Sequence, residues 1–221
     1  MVMAITASPA ADTSLASVTL EVADLEAARR FYSAFGVDSY IRLRASDAYS
    51  TGFRGFTLAL TVSGPSTVDA FVGAAVDAGA AVLKPAAKSL WGYSGVVEAP
   101  DGTIWKIATS ARKDTGPATR EVDDVVLLIG VEDVKATRRD YVGRGMTVAK
   151  SFGGKYVQFT PGGAGPLTLA LYKRRALAKD LGVPADGTGS HRIVLGSTAD
   201  AFTDADDFAW EAAASPAPAR S

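Results

Sequence analysis

One histidine, His191, and no cysteine in 221 residues leave few side chains able to do acid–base, nucleophilic or metal chemistry. Without cysteine, disulfides, thiolate zinc sites, iron–sulfur clusters and cysteine nucleophiles are excluded together. A single imidazole and no G-x-S-x-G elbow argue against a serine triad. Two glycine-rich runs, Phe152-Gly153-Gly154-Lys155 and Pro161-Gly162-Gly163-Ala164-Gly165-Pro166, match neither a P-loop nor a dinucleotide fingerprint and fit hairpin connections. No pair of carboxylates stands out for glycoside hydrolysis. The run Lys173-Arg174-Arg175, with Lys179, is able to clamp an acidic group, or it is a short charged surface helix. Arg29-Arg30 and Arg138-Arg139 fall on helix exteriors and read as solvated.

The elements that position these residues repeat. DLEAARRFYSAFGV from Asp24 aligns with DVKATRRDYVGRGM from Asp133, six of fourteen positions coinciding at an offset of 109. Thr57-Leu58-Ala59-Leu60 returns as Thr168-Leu169-Ala170-Leu171, and Asp101…Trp105 as Asp206…Trp210. Collinear echoes at one spacing mark a tandem repeat. The expected layout is a flexible leader at 1–14, a first domain at 15–112, a linker at 113–120, a second domain at 121–213 and a flexible tail at 214–221. In the first unit the periodicity predicts a strand over 16–22, a helix capped by Asp24 and stopped at Gly36, strands over 39–44 and 56–62, and a helix over 67–77. Strands over 81–84, 94–99 and 103–108 complete it. The second unit repeats the start, with a helix over 133–144, and is shorter later on.

Composition limits the partners. Lysine plus arginine is 23 and aspartate plus glutamate 24, a net charge of −1, which argues against a nucleic-acid binder. No stretch of eighteen uncharged apolar residues is present, so a soluble protein is expected with no membrane span. The opening MVMAITASPAADTS lacks a basic start and a long apolar centre, which makes a cytoplasmic location the expectation. Hydrophobic residues at 48% suffice for a core.

VTLEVADLEAARRFY from Val18, with WGYSGVVEAPDGTIWKI from Trp91, resembles the vicinal oxygen chelate superfamily, which holds glyoxalase I, bleomycin-resistance proteins and extradiol dioxygenases. The resemblance implies an α+β fold of tandem domains built from paired βαβββ modules with cupped mixed sheets, here with the second domain shortened. It also implies metal-ligand positions in catalytic members, at Ser17, Thr57 and Lys106 in the first unit and at Val126, His191 and Glu211 in the second. A charged lysine has donors and no lone pair, so the first unit is expected to hold no metal. Lys106 instead offers charge to an anionic ligand, with Ser17 and Thr57 as hydroxyl partners. His191 and Glu211 survive in the second unit, with Asp124 within reach as a third ligand. That set either carries a divalent ion for a lyase, isomerase or dioxygenase reaction, or is a hydrogen-bonded pair beside a pocket. Trp91 and Tyr93 fall where bleomycin-resistance-like relatives present an aromatic wall, and Trp105 and Trp210 read as core. The resulting expectation is metal-independent binding of a small organic molecule by a monomer or homodimer with no cofactor, the metal-dependent enzyme being the alternative.

Overall fold

The computed structural model describes residues 13–90, 92–162 and 166–213. Chain order is β1 (Leu15–Val22), α1 (Leu25–Phe35), β2 (Arg42–Ala45), β3 (Ser50–Gly52), β4 (Phe56–Thr61), α2 (Pro65–Asp77), β5 (Ala81–Ser89), β6 (Gly92–Glu98) and β7 (Ile104–Thr109). The second half follows with β8 (Asp124–Val131), α3 (Val134–Gly143), β9 (Val148–Phe152), β10 (Tyr156–Phe159), β11 (Leu167–Lys173), α4 (Arg174–Leu181), β12 (Gly187–Gly189), β13 (Ile193–Ser197), β14 (Phe202–Thr203) and β15 (Ala209–Ala212).

The repeated aspartates act as expected. Asp24 accepts from the Ala27 N–H, and Asp133 from those of Lys135 and Ala136, so each fills amides that the first helical turn leaves unpaired. Gly36 ends α1 in the left-handed conformation, φ 87°. The strand expected over 39–44 is shorter, because Asp38–Tyr40 tighten into a 3-10 turn.

Strand pairing crosses the repeat boundary. One sheet runs β5-β6-β7-β4-β8-β11-β10-β9. Each of its halves has its leading strand at the centre, followed outward by the last, third and second strands of that module. The leading strands β4 and β8 meet antiparallel, with Leu58 opposite Leu127. The full pair of βαβββ modules thus spans residues 56–173. The other sheet, β14-β15-β13-β1-β2, joins the first strands of the chain to the last, β1 lying antiparallel to β13. Its modules are the shortened ones. Both sheets therefore draw strands from residues 15–112 and from residues 121–213. A two-stranded ribbon, β3 with β12, links the same halves again. This is an α+β fold of paired modules with cupped mixed sheets.

Alternation assigns the faces. Leu58, Leu60, Val97, Trp105 and Ile107 point to the helix side and join the main core, as do Val18, Leu20, Leu195 and Trp210 of the smaller sheet. Trp105 and Trp210 are 0% and 2% exposed. Trp105 meets Phe35 edge-on at 5.3 Å and Tyr32 at a tilt at 5.9 Å, and Trp210 meets Tyr141, the repeat counterpart of Tyr32, edge-on at 5.5 Å. Each cluster includes a tyrosine donating to a carboxylate: Tyr32 to Asp101 at 2.6 Å, and Tyr141 to Asp204. Burial first, then the adjacent carboxylate, pushes both phenols well above their usual range. Tyr141→Phe removes the donor while Asp204 stays buried, so a loss of about 1–3 kcal/mol is expected in urea unfolding. Among the described residues no helix is long and apolar enough to cross a membrane.

Candidate functional site

The face of the eight-stranded sheet turned away from α2 and α3 carries Thr57 and Ala59 on β4, Ile104 and Lys106 on β7, Leu128 on β8, and Thr168 and Tyr172 on β11. In this fold that face is the inside of the cup. Here α4 lies in it. Leu177, Ala178 and Leu181 are buried against Phe53, Val96 and Ile104, with Leu128, Tyr172 and Leu83 at the edges. The charged surface helix expected from Lys173-Arg174-Arg175 is thus corrected: its apolar stripe at positions 177, 178 and 181 fills part of the cup. Arg174 clamps no ligand, since its guanidinium donates to the Phe53 and Ala185 carbonyls at 2.6 and 3.2 Å. Gly130 allows this close approach, because a Cβ there would lie 3.0 Å from the Arg174 Cα.

Two lysines hold the far end of α4. Lys106 donates to the Asp180 carboxylate at 2.6 Å, and Lys84 to the backbone carbonyls of Lys179 and Asp180, where the helix dipole favours a cation. Thr57, fully buried, donates to the Ile104 carbonyl at 2.8 Å. Its hydroxyl proton is therefore spent within the sheet.

Beyond α4 the outer half of the same face carries Phe152, which is exposed, and Asp124, Tyr156, Gln158 and Tyr172, which are partly exposed. Asp124 accepts from Thr168 at 3.1 Å, Tyr156 donates to Gln158 at 3.2 Å, and the rings of Phe152, Tyr156 and Tyr172 follow one another at 5.9 and 6.2 Å. Burial raises the Asp124 pKa, partly offset by the Thr168 hydroxyl and the Val125 amide; Tyr156 is raised by burial and by Asp124. With Asp124 shifted upward, the folded state binds more protons than the unfolded chain between the ordinary and the raised values. Stability contributed at this site is thus full below that window and falls as pH rises through it. Urea midpoints measured against pH should show the decline, and Asp124→Asn should flatten it.

The smaller sheet presents Ser17, Thr19 and Glu21 of β1, Arg42 and Arg44 of β2, Gly196 of β13 and Glu211 of β15 on its open face, as the registers require. Arg44 reaches over β1 and β13 to hold Glu211 through two bonds of 2.7 and 2.6 Å. Four neighbouring strands span about 14 Å, so the contact reflects the curvature of the sheet. The Arg44 hydrogen bond, more than its charge, holds the Glu211 pKa below the usual carboxylate range. Both partners are about half exposed, so the pair contributes under about 1 kcal/mol and is lost as pH falls through the lowered Glu211 value. Ser17 lies over Gly196.

His191 precedes β13 and stacks on Phe208 at 4.0 Å. Its Nδ1 faces the Arg54 carbonyl at 2.5 Å and its Nε2 the Asp206 carbonyl at 2.8 Å. Carbonyls only accept, so both ring nitrogens point at groups that want a proton and neither presents a lone pair to open space. The ring borders a polar cleft of about 380 Å³ with Arg54, Glu132 and Asp207.

The structure therefore separates residues expected together within each unit, Ser17 from Thr57 and Lys106 in the first and Glu211 from Asp124 in the second. Ser17 and Glu211 belong to the smaller sheet, Thr57, Lys106 and Asp124 to the larger, and His191 to the corner between them. Tyr93 lies on the α2 side of β6 with its hydroxyl donating to Asp69 at 2.9 Å, and Trp91 falls outside the described residues. The donor set does not fit a divalent ion: Glu211 is held by a guanidinium, His191 is directed at carbonyls, and Asp124 is on the other sheet. Among the described residues no group of three or more histidine, aspartate or glutamate side chains converges to hold a metal. Sequence reasoning missed Tyr156, Gln158, Phe152 and Tyr172, although the alternation of Tyr156 and Gln158 with Val157 and Phe159 was there to be read.

No family model and no curated protein matches the chain. Solved structures do. A point variant of glyoxalase I from Zea mays superposes with a TM-score of 0.55 at 14% identity, over 90% of this chain and 91% of that one. A second variant of the same enzyme gives 0.50 at 15% identity, over 85% and 76%. A putative dioxygenase from Bacillus subtilis gives 0.50 at 11%, over 88% and 71%. Identities this low speak to architecture alone, and it agrees with the strand order described above: the chain has the fold of the vicinal oxygen chelate superfamily.

Proposed function

We propose that this protein binds a small, planar organic molecule on the outer half of the eight-stranded cup, without a metal ion. One observation carries the reading: where catalytic members of the fold are expected to hold a cation, each sheet has an internal ion pair, Lys106 with Asp180 and Arg44 with Glu211. Each pair brings its own positive charge, so neither site needs an ion to balance its carboxylate. The ring series Phe152, Tyr156 and Tyr172 supplies a stacking surface, and Asp124, Thr168 and Gln158 supply polar contacts that fix orientation.

Equilibrium dialysis against aromatic and glycopeptide-like compounds, with elemental analysis of protein purified without chelator, tests this. Saturable binding, weakened about tenfold or more by Tyr156→Ala, with substoichiometric metal, is the expected result. Near-stoichiometric metal that vanishes in His191→Ala would overturn it in favour of a metal-dependent lyase, isomerase or dioxygenase.

A further inference from the structure

The repeat sets an Arg-Arg pair on the outer surface of two helices, Arg29-Arg30 on α1 and Arg138-Arg139 on α3, and each pair borders a groove between its helix and a neighbouring strand. The two grooves differ in charge. On α1, Glu26 lies 3.8 Å from both arginines, and Asp38 adds a carboxylate to the wall. At the position equivalent to Glu26, 109 residues on, α3 carries Lys135. The α3 groove, about 450 Å³, is lined by Lys135, Arg138 and Arg139 together with Val142, Ser151 and Gly154. No carboxylate lines it, and none of its three cations has an ion pair within 4.0 Å among the described residues.

The nearest acids are committed elsewhere. Asp133 caps α3 through the Lys135 and Ala136 amides, attracting Lys135 and Arg139 only from a distance, and Asp140 pairs with Arg144 at 2.9 Å. The β9–β10 hairpin shapes the opposite wall. Gly154, at φ 71°, lets the Lys135 stem lie across it; a Cβ there would come within 2.8 Å of the Lys135 Cε. Val142, 46% exposed, supplies an apolar surface beside the charges.

Three neighbouring cations on a concave surface repel one another and raise the local concentration of anions. Two arginines also offer paired donors that match a planar or tetrahedral oxyanion. We propose that the α3 groove is a binding site for a small organic anion: a carboxylate, phosphate ester or sulfonate carried on an apolar body. It is separate from the cup, lying on the helix side of the same sheet.

Fluorescence titration of the full chain with 8-anilinonaphthalene-1-sulfonate tests this. Saturable binding should weaken about tenfold or more in Lys135→Glu, which restores the α1 pattern, and as ionic strength rises from about 0.02 to 0.2 M. Octanoate should compete far better than acetate; equal competition by inorganic phosphate and octanoate would mean that charge alone is recognised and would overturn the apolar part. Glu26→Lys should add a second site at α1. Tyr156→Ala should leave groove binding intact, which separates failure here from failure of the cup. Binding that neither Lys135→Glu nor Arg138→Ala with Arg139→Ala alters, or no binding in the unchanged protein, overturns the proposal.

Discussion

Replacing Leu177 and Leu181 together by alanine is expected to lower the free energy of unfolding by about 4–6 kcal/mol, in urea titrations of the full chain. Each leucine is buried at 0–1% exposure between α4 and the sheet, and truncating such a residue costs about 2–5 kcal/mol. The two share neighbours, so their costs combine to less than the sum. A domain of this size holds about 5–15 kcal/mol in all, so the doubly substituted protein should be near its limit. Amide exchange should accelerate first in residues 174–182, because α4 can leave the cup while the β4–β8 centre stays paired. A loss under about 1 kcal/mol would mean that α4 does not fill the cup. By comparison Lys106→Met should be mild, since the Asp180 partner is 43% exposed and exposed ion pairs contribute about 0–1 kcal/mol.

The second large effect is expected at Arg192. Its guanidinium donates to the carbonyls of Glu21, Ala48 and Ser46 at 3.0, 3.1 and 2.6 Å, tying the end of β1 to the loop after β2. Its backbone sits at φ 54°, a conformation costly for a residue with a Cβ. Arg192→Ala keeps that conformational cost and strands three acceptors, so a loss of about 3 kcal/mol is expected. Arg192→Gly loses the same bonds but relieves the backbone, and should recover about 1 kcal/mol of it. Arg192→Lys should not rescue, because one ammonium cannot reproduce a planar fork directed at three carbonyls. Equal midpoints for the alanine and glycine variants would show that the left-handed turn carries no strain.

Local structure was the most readable part of the chain. Asp24 and Asp133 announced their helices because an N-cap is a chemical requirement of the first turn, visible in a few residues. Alternation along β4 and β7 sorted Trp105 from Lys106 onto opposite faces. It could not say which strand lies beside which, and so β1 against β13, 170 or more residues apart, was beyond local pattern. The site suffered most from this. Ser17, Thr57 and Lys106 were grouped as the ligand positions that the resemblance implies for the first unit, yet pairing sends Ser17 to a different sheet. His191 was identified as the one imidazole, but the groups that occupy its nitrogens are backbone carbonyls, which every residue possesses and no sequence distinguishes. The stripe of α4 was legible in Leu177, Ala178 and Leu181; three basic residues at the start of the helix drew attention to its solvent side instead.

The pairing of β1 with β13 also sets an order of events during synthesis. On the ribosome, residues 56–173 can complete their eight strands as soon as they emerge, since every partner lies within that stretch. On one side β1 has no such option: β2 can pair with it early, but its antiparallel neighbour β13 is translated 170 or more residues later, and until then that edge bears open backbone donors and acceptors. The time taken to translate the stretch between β1 and β13 therefore governs how long that edge is available to other nascent chains.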